Sequence, residues 1–186
     1  MLESRMIALG TTLPVFALVD TVSGKTFQST DYDGKPLLVV FICNHCPYVV
    51  HIADALATFG DDYQARGLSI VAISSNDVAT YPQDGPEQMA AFAMQKGFTF
   101  PYLYDETQQT ARAYQAACTP DFFLFDKAGR LAYRGQFDSS RPNKGTATGA
   151  DLRAAADAVL AGRAPAAEQM PSVGCSIKWK AGVTPT

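Results

Sequence analysis

Two uninterrupted apolar runs, Leu37-Leu38-Val39-Val40-Phe41-Ile42 and Leu68-Ser69-Ile70-Val71-Ala72-Ile73, organise the first half of this chain. Runs of this length, rich in β-branched residues and bounded by turn signals, read as strands buried on both faces. Between them, Val49, Ile52, Leu56, Phe59 and Tyr63 recur at steps of three and four, which predicts one helical face ending near Gly67. A third strong strand is predicted at Phe122-Phe123-Leu124-Phe125. Asp126-Lys127-Ala128-Gly129 turns it into a hairpin partner, Leu131-Ala132-Tyr133-Arg134.

The remaining elements are weaker. Gly10 to Asp33 reads as an extended preface, with Phe16, Leu18 and Phe27 in short β-prone pieces around the Ser23-Gly24-Lys25 turn. Gly85-Pro86-Glu87 predicts a helix start with proline at the first position, an inner face of Met89, Phe92 and Ala93, and an end at Gly97. Tyr102-Leu103-Tyr104 is a short strand candidate. Asp105 with Gln108 resembles a capping box for a helix reaching about Ala116. Thr148 and Asp151 open a last helix, with Leu152, Ala155, Ala156, Val159 and Leu160 inside and Gly162 at its close. This alternation implies an α/β sandwich, a single domain over 1–186 with its core at about 9–162. The tail, 163–186, has no period, yet Pro171-Ser172-Val173-Gly174-Cys175-Ser176-Ile177-Lys178-Trp179 is too apolar to float and is expected to pack.

Composition narrows the function. The chain has 186 residues, a net charge of −3 and 4 cysteines. That charge offers no reason to expect nucleic acid or an anionic membrane surface as partner. No apolar run approaches the ~18 residues of a membrane span, and the first residues lack the pattern of a signal peptide. The expected compartment is the cytoplasm, where a dithiol is catalytic or metal-binding more often than structural. Oligomeric state is not legible.

The chemistry lies in Cys43-Asn44-His45-Cys46-Pro47, which follows a buried strand and precedes a helix. In that position a C-x-x-C pair reads as a redox dithiol. Unpaired N–H groups and the dipole at a helix start favour a thiolate. Cys43 is the expected attacking thiol and Cys46 the resolver. His45 would stabilise the Cys43 thiolate and tilt the pair toward oxidation. A second element, Cys118-Thr119-Pro120-Asp121, stands just before the third strand, where a proline suits a strand's first residue. A Thr119–Pro120 bond of either isomer fits that place. Were it cis, the Thr119 backbone would turn outward to pair with a substrate strand. Asp121 is either a proton acceptor for Cys46 or a turn residue bonding its own backbone. Cys118 and Cys175 are possible auxiliary thiols that a folded tail would bring together.

Strand, C-x-x-C-Pro, helix and a later Thr-Pro before a hairpin resemble the thioredoxin-like superfamily. Gly10-x-x-Leu13-Pro14-x-Phe16-x-Leu18 with Asp33-Gly34-Lys35-Pro36 is similar to its redoxin branch, the AhpC/TSA and TlpA/ResA-like proteins. Cys43 to Val49, Ser74-Ser75-Asn76-Asp77, Cys118 to Phe123 and Gly174 to Trp179 resemble a group of bacterial thioredoxin-family proteins. The resemblance implies an α/β/α sandwich with an N-terminal β extension. It also implies Cys43 as nucleophile, Cys46 as resolver, Pro120 as a cis-proline and Thr119 as the backbone that meets substrate. Two departures stand out: Ile42 replaces the usual tryptophan before the first cysteine, and Leu37 fills the slot of the buried carboxylate.

Three functions follow. The first is a thiol–disulfide oxidoreductase acting on protein or low-molecular-weight thiols and disulfides, with no cofactor. The second is a peroxiredoxin-like antioxidant peroxidase, although Val39 to Cys43 lacks the threonine that would hold peroxide. The third is copper or zinc binding, which would need ligands from beyond the motif; no metal is expected.

Overall fold

In the computed structural model, which describes residues 1–185, the two apolar runs become adjacent parallel strands near the centre of a seven-stranded sheet. Along the chain, β1 (Leu2–Glu3), β2 (Ala17–Asp20), β3 (Thr26–Gln28) and β4 (Leu37–Phe41) precede α1 (Pro47–Gln64). Then come β5 (Ser69–Ser74), α2 (Pro86–Lys96), β6 (Tyr102–Tyr104) and α3 (Gln109–Ala113). The last part holds β7 (Cys118–Thr119), β8 (Asp121–Phe125), β9 (Leu131–Gly135), α4 (Ala150–Leu160) and β10 (Val173–Ser176). The main sheet runs β3-β2-β6-β5-β4-β8-β9, with β4, β5 and β6 parallel and the other pairings antiparallel.

The uninterrupted apolar character of β4 has a direct cause, since both faces of the strand are covered. Leu38, Val40 and Ile42 enter one core layer with Ile52 and Leu56 of α1, Met89 of α2 and Leu152 of α4. Leu37, Val39 and Phe41 enter the opposite layer with Ala111 of α3, Tyr114 and Phe123. Phe41, Tyr114 and Phe123 meet edge to face, with centroids 5.5 to 5.9 Å apart. Among the described residues no helix is long and apolar enough to cross a membrane.

One expected helix start differs. Asp105 and Gln108 do not form a reciprocal box. Asp105 accepts from Ser75 Oγ and the Ala111 N–H, while the Gln108 side chain leaves α3 to donate to the Ser75 and Lys178 carbonyls. Tertiary partners outcompete the local cap, and Gln115 at φ 52° follows the short helix. At α4 the N-terminal groups are held by a residue remote in sequence: Asp138 Oδ2 accepts from the Thr148 and Gly149 N–H groups, both at 2.6 Å.

The tail packs along the molecule. β10 lies between β1 and β7 in a separate three-stranded sheet, both pairings antiparallel. Beyond it Ile177 is buried in the second core layer, with Trp179 packed against the same cluster. The Lys178 N–H donates to Asn76 Oδ1, and the Lys180 N–H to Gln108 Oε1.

Candidate active site

A single residue, Thr119, touches both sulfurs of the C-x-x-C motif. Its Oγ1 lies 3.4 Å from Cys43 Sγ, and its carbonyl oxygen lies 3.2 Å from Cys46 Sγ. The Thr119–Pro120 peptide bond is cis. β4 delivers Cys43 from below, α1 holds Cys46 from one side, and the β7–β8 corner supplies Thr119 from the other. Both sulfur residues are buried.

The expected order of the two cysteines on the helix is corrected. α1 begins at Pro47 with Cys46 as its N-cap, so Cys43 lies in the preceding loop and outside the first turn. The proline sets that boundary, because it fits the first helical position and has no N–H to satisfy. Of the pair, Cys46 is drawn below the ordinary thiol range, first by its hydrogen bond from Cys43; burial opposes this, and the Cys175 thiol and the Val49 and Cys175 N–H groups reinforce it. Cys43 is pushed above the ordinary thiol range, because it keeps the proton bonded to Cys46, is buried, and faces the Asp84 carboxylate. The two titrate as a pair.

His45 stands beside Cys43, a ring nitrogen within 4.8 Å of its sulfur, and is shared with a carboxylate. Its Nδ1 lies 2.6 Å from Asp84 Oδ2, and its ring stacks on Tyr81 at 5.6 Å. The imidazole therefore faces a carboxylate that itself opposes a charge on Cys43. Asp84 is fully buried and accepts from the Asn44 N–H and from Asn76 Nδ2, both at 2.8 Å. Asp84 and Asn76 were not among the residues expected in the site. For Asn76 a signal existed: a polar run, Ser74 to Asp77, ends a buried strand at the same sheet end as the dithiol. Asp84 carries none, since an aspartate in a loop is ordinary.

Asp121 is fully buried beside the cis bond. Its Oδ2 accepts from the Ala117 N–H at 3.2 Å, and Oδ1 has no partner among the described residues. Burial pushes its carboxyl up to about 8 against the Ala117, Cys118 and Phe122 N–H groups. Cys43, His45 and Asp84 together place S, N and O donor atoms within 4.8 Å of one another, the residues here that could hold a cation.

The tail brings Cys175 onto the strand paired with that of Cys118, one residue out of register. In the β10–β7 register Cys175 stands opposite Thr119, and Ser176 stands opposite Cys118. Neighbouring positions on a strand face opposite ways. Cys175 packs with Cys43 and Cys46, whereas the Cys118 thiol points to the Pro120 carbonyl at 3.6 Å. Thr119, expected to meet substrate through its backbone, already pairs with the chain's own tail.

Residues 9–134 match the family model described as AhpC/TSA family. A thiol-disulfide oxidoreductase ResA from Geobacillus thermodenitrificans is 30% identical over 129 residues, 69% of this chain and 70% of that protein. The crystal structure of a hypothetical protein from Sinorhizobium meliloti is 50% identical with a TM-score of 0.94, covering 97% of this chain and 99% of that one. That of an uncharacterized conserved protein from Geobacillus kaustophilus is 49% identical with a TM-score of 0.95, covering 98% and 97%.

Proposed function

The chain belongs to the AhpC/TSA family, has a thioredoxin-like fold and is a thiol–disulfide oxidoreductase, and we propose that Cys43 and Cys46 are its working dithiol. The observation that carries this assignment is the convergence of both sulfurs on Thr119. Cys43 attacks one sulfur of a substrate disulfide and passes its proton to Cys46 along their hydrogen bond. The departing substrate thiolate takes that proton. Cys46, again a thiolate, attacks Cys43 Sγ and expels the second substrate sulfur, leaving a Cys43–Cys46 disulfide. The hydrogen bond to Cys46 and burial keep Cys43 protonated until substrate arrives, and Asp84, held in place by Asn44 and Asn76, adds to this. The substrate class proposed is protein or low-molecular-weight disulfides.

Insulin-disulfide reduction with dithiothreitol, measured beside hydrogen peroxide consumption, tests this reading. Fast insulin reduction that disappears in Cys43→Ser and Cys46→Ser supports it. Rapid peroxide turnover with no insulin reduction overturns it in favour of an antioxidant peroxidase. One observation favours a metal-binding reading, the S, N and O donors of Cys43, His45 and Asp84. Stoichiometric zinc or copper in the purified protein, lost in Asp84→Asn, would establish that alternative.

A further inference from the structure

Cys175 has no part in the exchange just described, yet it lies against it. Antiparallel pairing sets Cys175 opposite Thr119, whose carbonyl oxygen lies 3.2 Å from Cys46 Sγ. Cys175 packs against the cluster that holds Cys43 and Cys46, and its N–H and thiol help draw the Cys46 proton away. This approach is built into the strand. A Cβ on Gly174 would sit 2.0 Å from the Thr119 carbonyl oxygen, so only glycine lets β10 come this close. The strand is fastened on either side of Cys175: the Ser4 N–H donates to the Ser172 carbonyl, and the Ile177 N–H to the Ala117 carbonyl. Cys43 and Cys46 are buried, whereas Cys175 is partly exposed.

Taking the Cys43–Cys46 redox couple as given, we propose that Cys175 is a third thiol of this centre, exchanging with Cys46 and carrying electrons from an external thiol to the buried disulfide. In the oxidised protein the Cys175 thiolate attacks Cys46 Sγ. A Cys46–Cys175 bond forms, the Cys43–Cys46 bond breaks, and Cys43 leaves with the electron pair and takes up the proton that Cys175 released. No net oxidation occurs. An external thiol then attacks Cys175 and frees Cys46, and a second equivalent releases Cys175 and departs as the disulfide. In the reduced protein, burial and the hydrogen bond to Cys46 hold the proton on Cys175. Once Cys46 is in a disulfide its negative charge is gone, and Lys178 and the chain's amino terminus favour the thiolate.

The test uses the full-length chain. Cys43→Ser, checked for native circular dichroism, is oxidised with diamide and mapped by non-reducing peptide mass spectrometry. A Cys46–Cys175 linkage is expected, with free thiols falling from three to one. In the second arm, the disulfide of Cys175→Ser should be reduced by glutathione roughly ten-fold more slowly than that of the wild type. Three remaining thiols, a Cys118–Cys175 linkage, or an unchanged rate in Cys175→Ser each overturns the relay. If the wild-type chain itself forms no Cys43–Cys46 disulfide, the dithiol assignment fails and the relay with it. A wild-type disulfide without the Cys46–Cys175 linkage removes the relay alone.

Discussion

The two sides of the dithiol contain the same kinds of group and treat them in opposite ways. On one side Cys43 lies with His45 and Asp84, and the carboxylate has its oxygens occupied by Asn44, Asn76 and His45. On the other, Cys46 lies with Thr119, Cys175 and the α1 terminus, and the nearby acid, Asp121, has one oxygen unpartnered among the described residues. Their mutual hydrogen bond leaves the proton on Cys43; burial and the Asp84 carboxylate hold it there, while Cys175 and the Val49 N–H favour its loss from Cys46. Position within a short motif therefore does not decide which cysteine is acidic; the groups brought against each one do.

The largest expected effect separates the two sulfurs directly. Thiolate absorbance near 240 nm should show a group titrating below the ordinary thiol range in the wild type. Cys46→Ser should abolish it and lower insulin turnover by about 100-fold or more, since the mixed disulfide then has no resolving thiol. Cys43→Ser should keep the titration but move it upward, because the hydrogen bond that contributes most is gone. The reverse pattern would break the comparison.

The next effect distinguishes the two acids. The folded Asp121 carboxyl keeps its proton up to about pH 8, while the unfolded chain releases it near 3.8. Stability attributable to this group is thus fully present below pH 3.8 and declines as pH rises toward 8. Asp121→Asn should remove that decline, gaining on the order of 3 kcal/mol relative to wild type between pH 5 and 8 in urea unfolding. Equal pH slopes in the two proteins would show that the acid is ionised in the fold.

A smaller effect is expected from prying the tail away. Gly174→Val places atoms on the Thr119 carbonyl and should destabilise the protein by about 2 kcal/mol. The informative readout is alkylation of Cys46, which should accelerate at least roughly ten-fold as β10 lifts, while Cys118 labelling changes little. Unchanged Cys46 labelling would mean that β10 does not shield it.

The smallest shift concerns the Cys43 side. His45→Leu removes the partner of Asp84 and should make the dithiol more reducing, by about 30 mV for each ~1.4 kcal/mol lost. Asp84→Asn should move the potential in the opposite direction, because the charge opposing a Cys43 thiolate disappears. Shifts of the same sign in both variants would show that the pair does not act through its charge.

Much of the scaffold was legible because burial leaves a strong imprint on residue choice. Leu37 to Ile42 is apolar at every position since β4 has a core layer on each face, and α1 shows its inner stripe because one side packs and the other is wet. The C-x-x-C pair and the Thr-Pro step were legible because few residue types serve those places. Asp84 was not, because an aspartate between elements becomes special only when a histidine and two donors converge on it. The start of α3 differs from its expected box for a related reason: Gln108 acts across a distance that local patterning cannot register, as does Asp138 at α4.

By itself, then, the sequence determined the layers, the order of strands and helices, the presence of a dithiol at a strand–helix junction, and a tail too apolar to remain free. These follow from periodicity, turn chemistry and burial, each of which acts over a few neighbouring residues. Tertiary structure alone decided which acid faces Cys43 and that Cys175 packs against Cys46. The second outcome depends on strand register, where a shift of one residue turns every side chain to the opposite face.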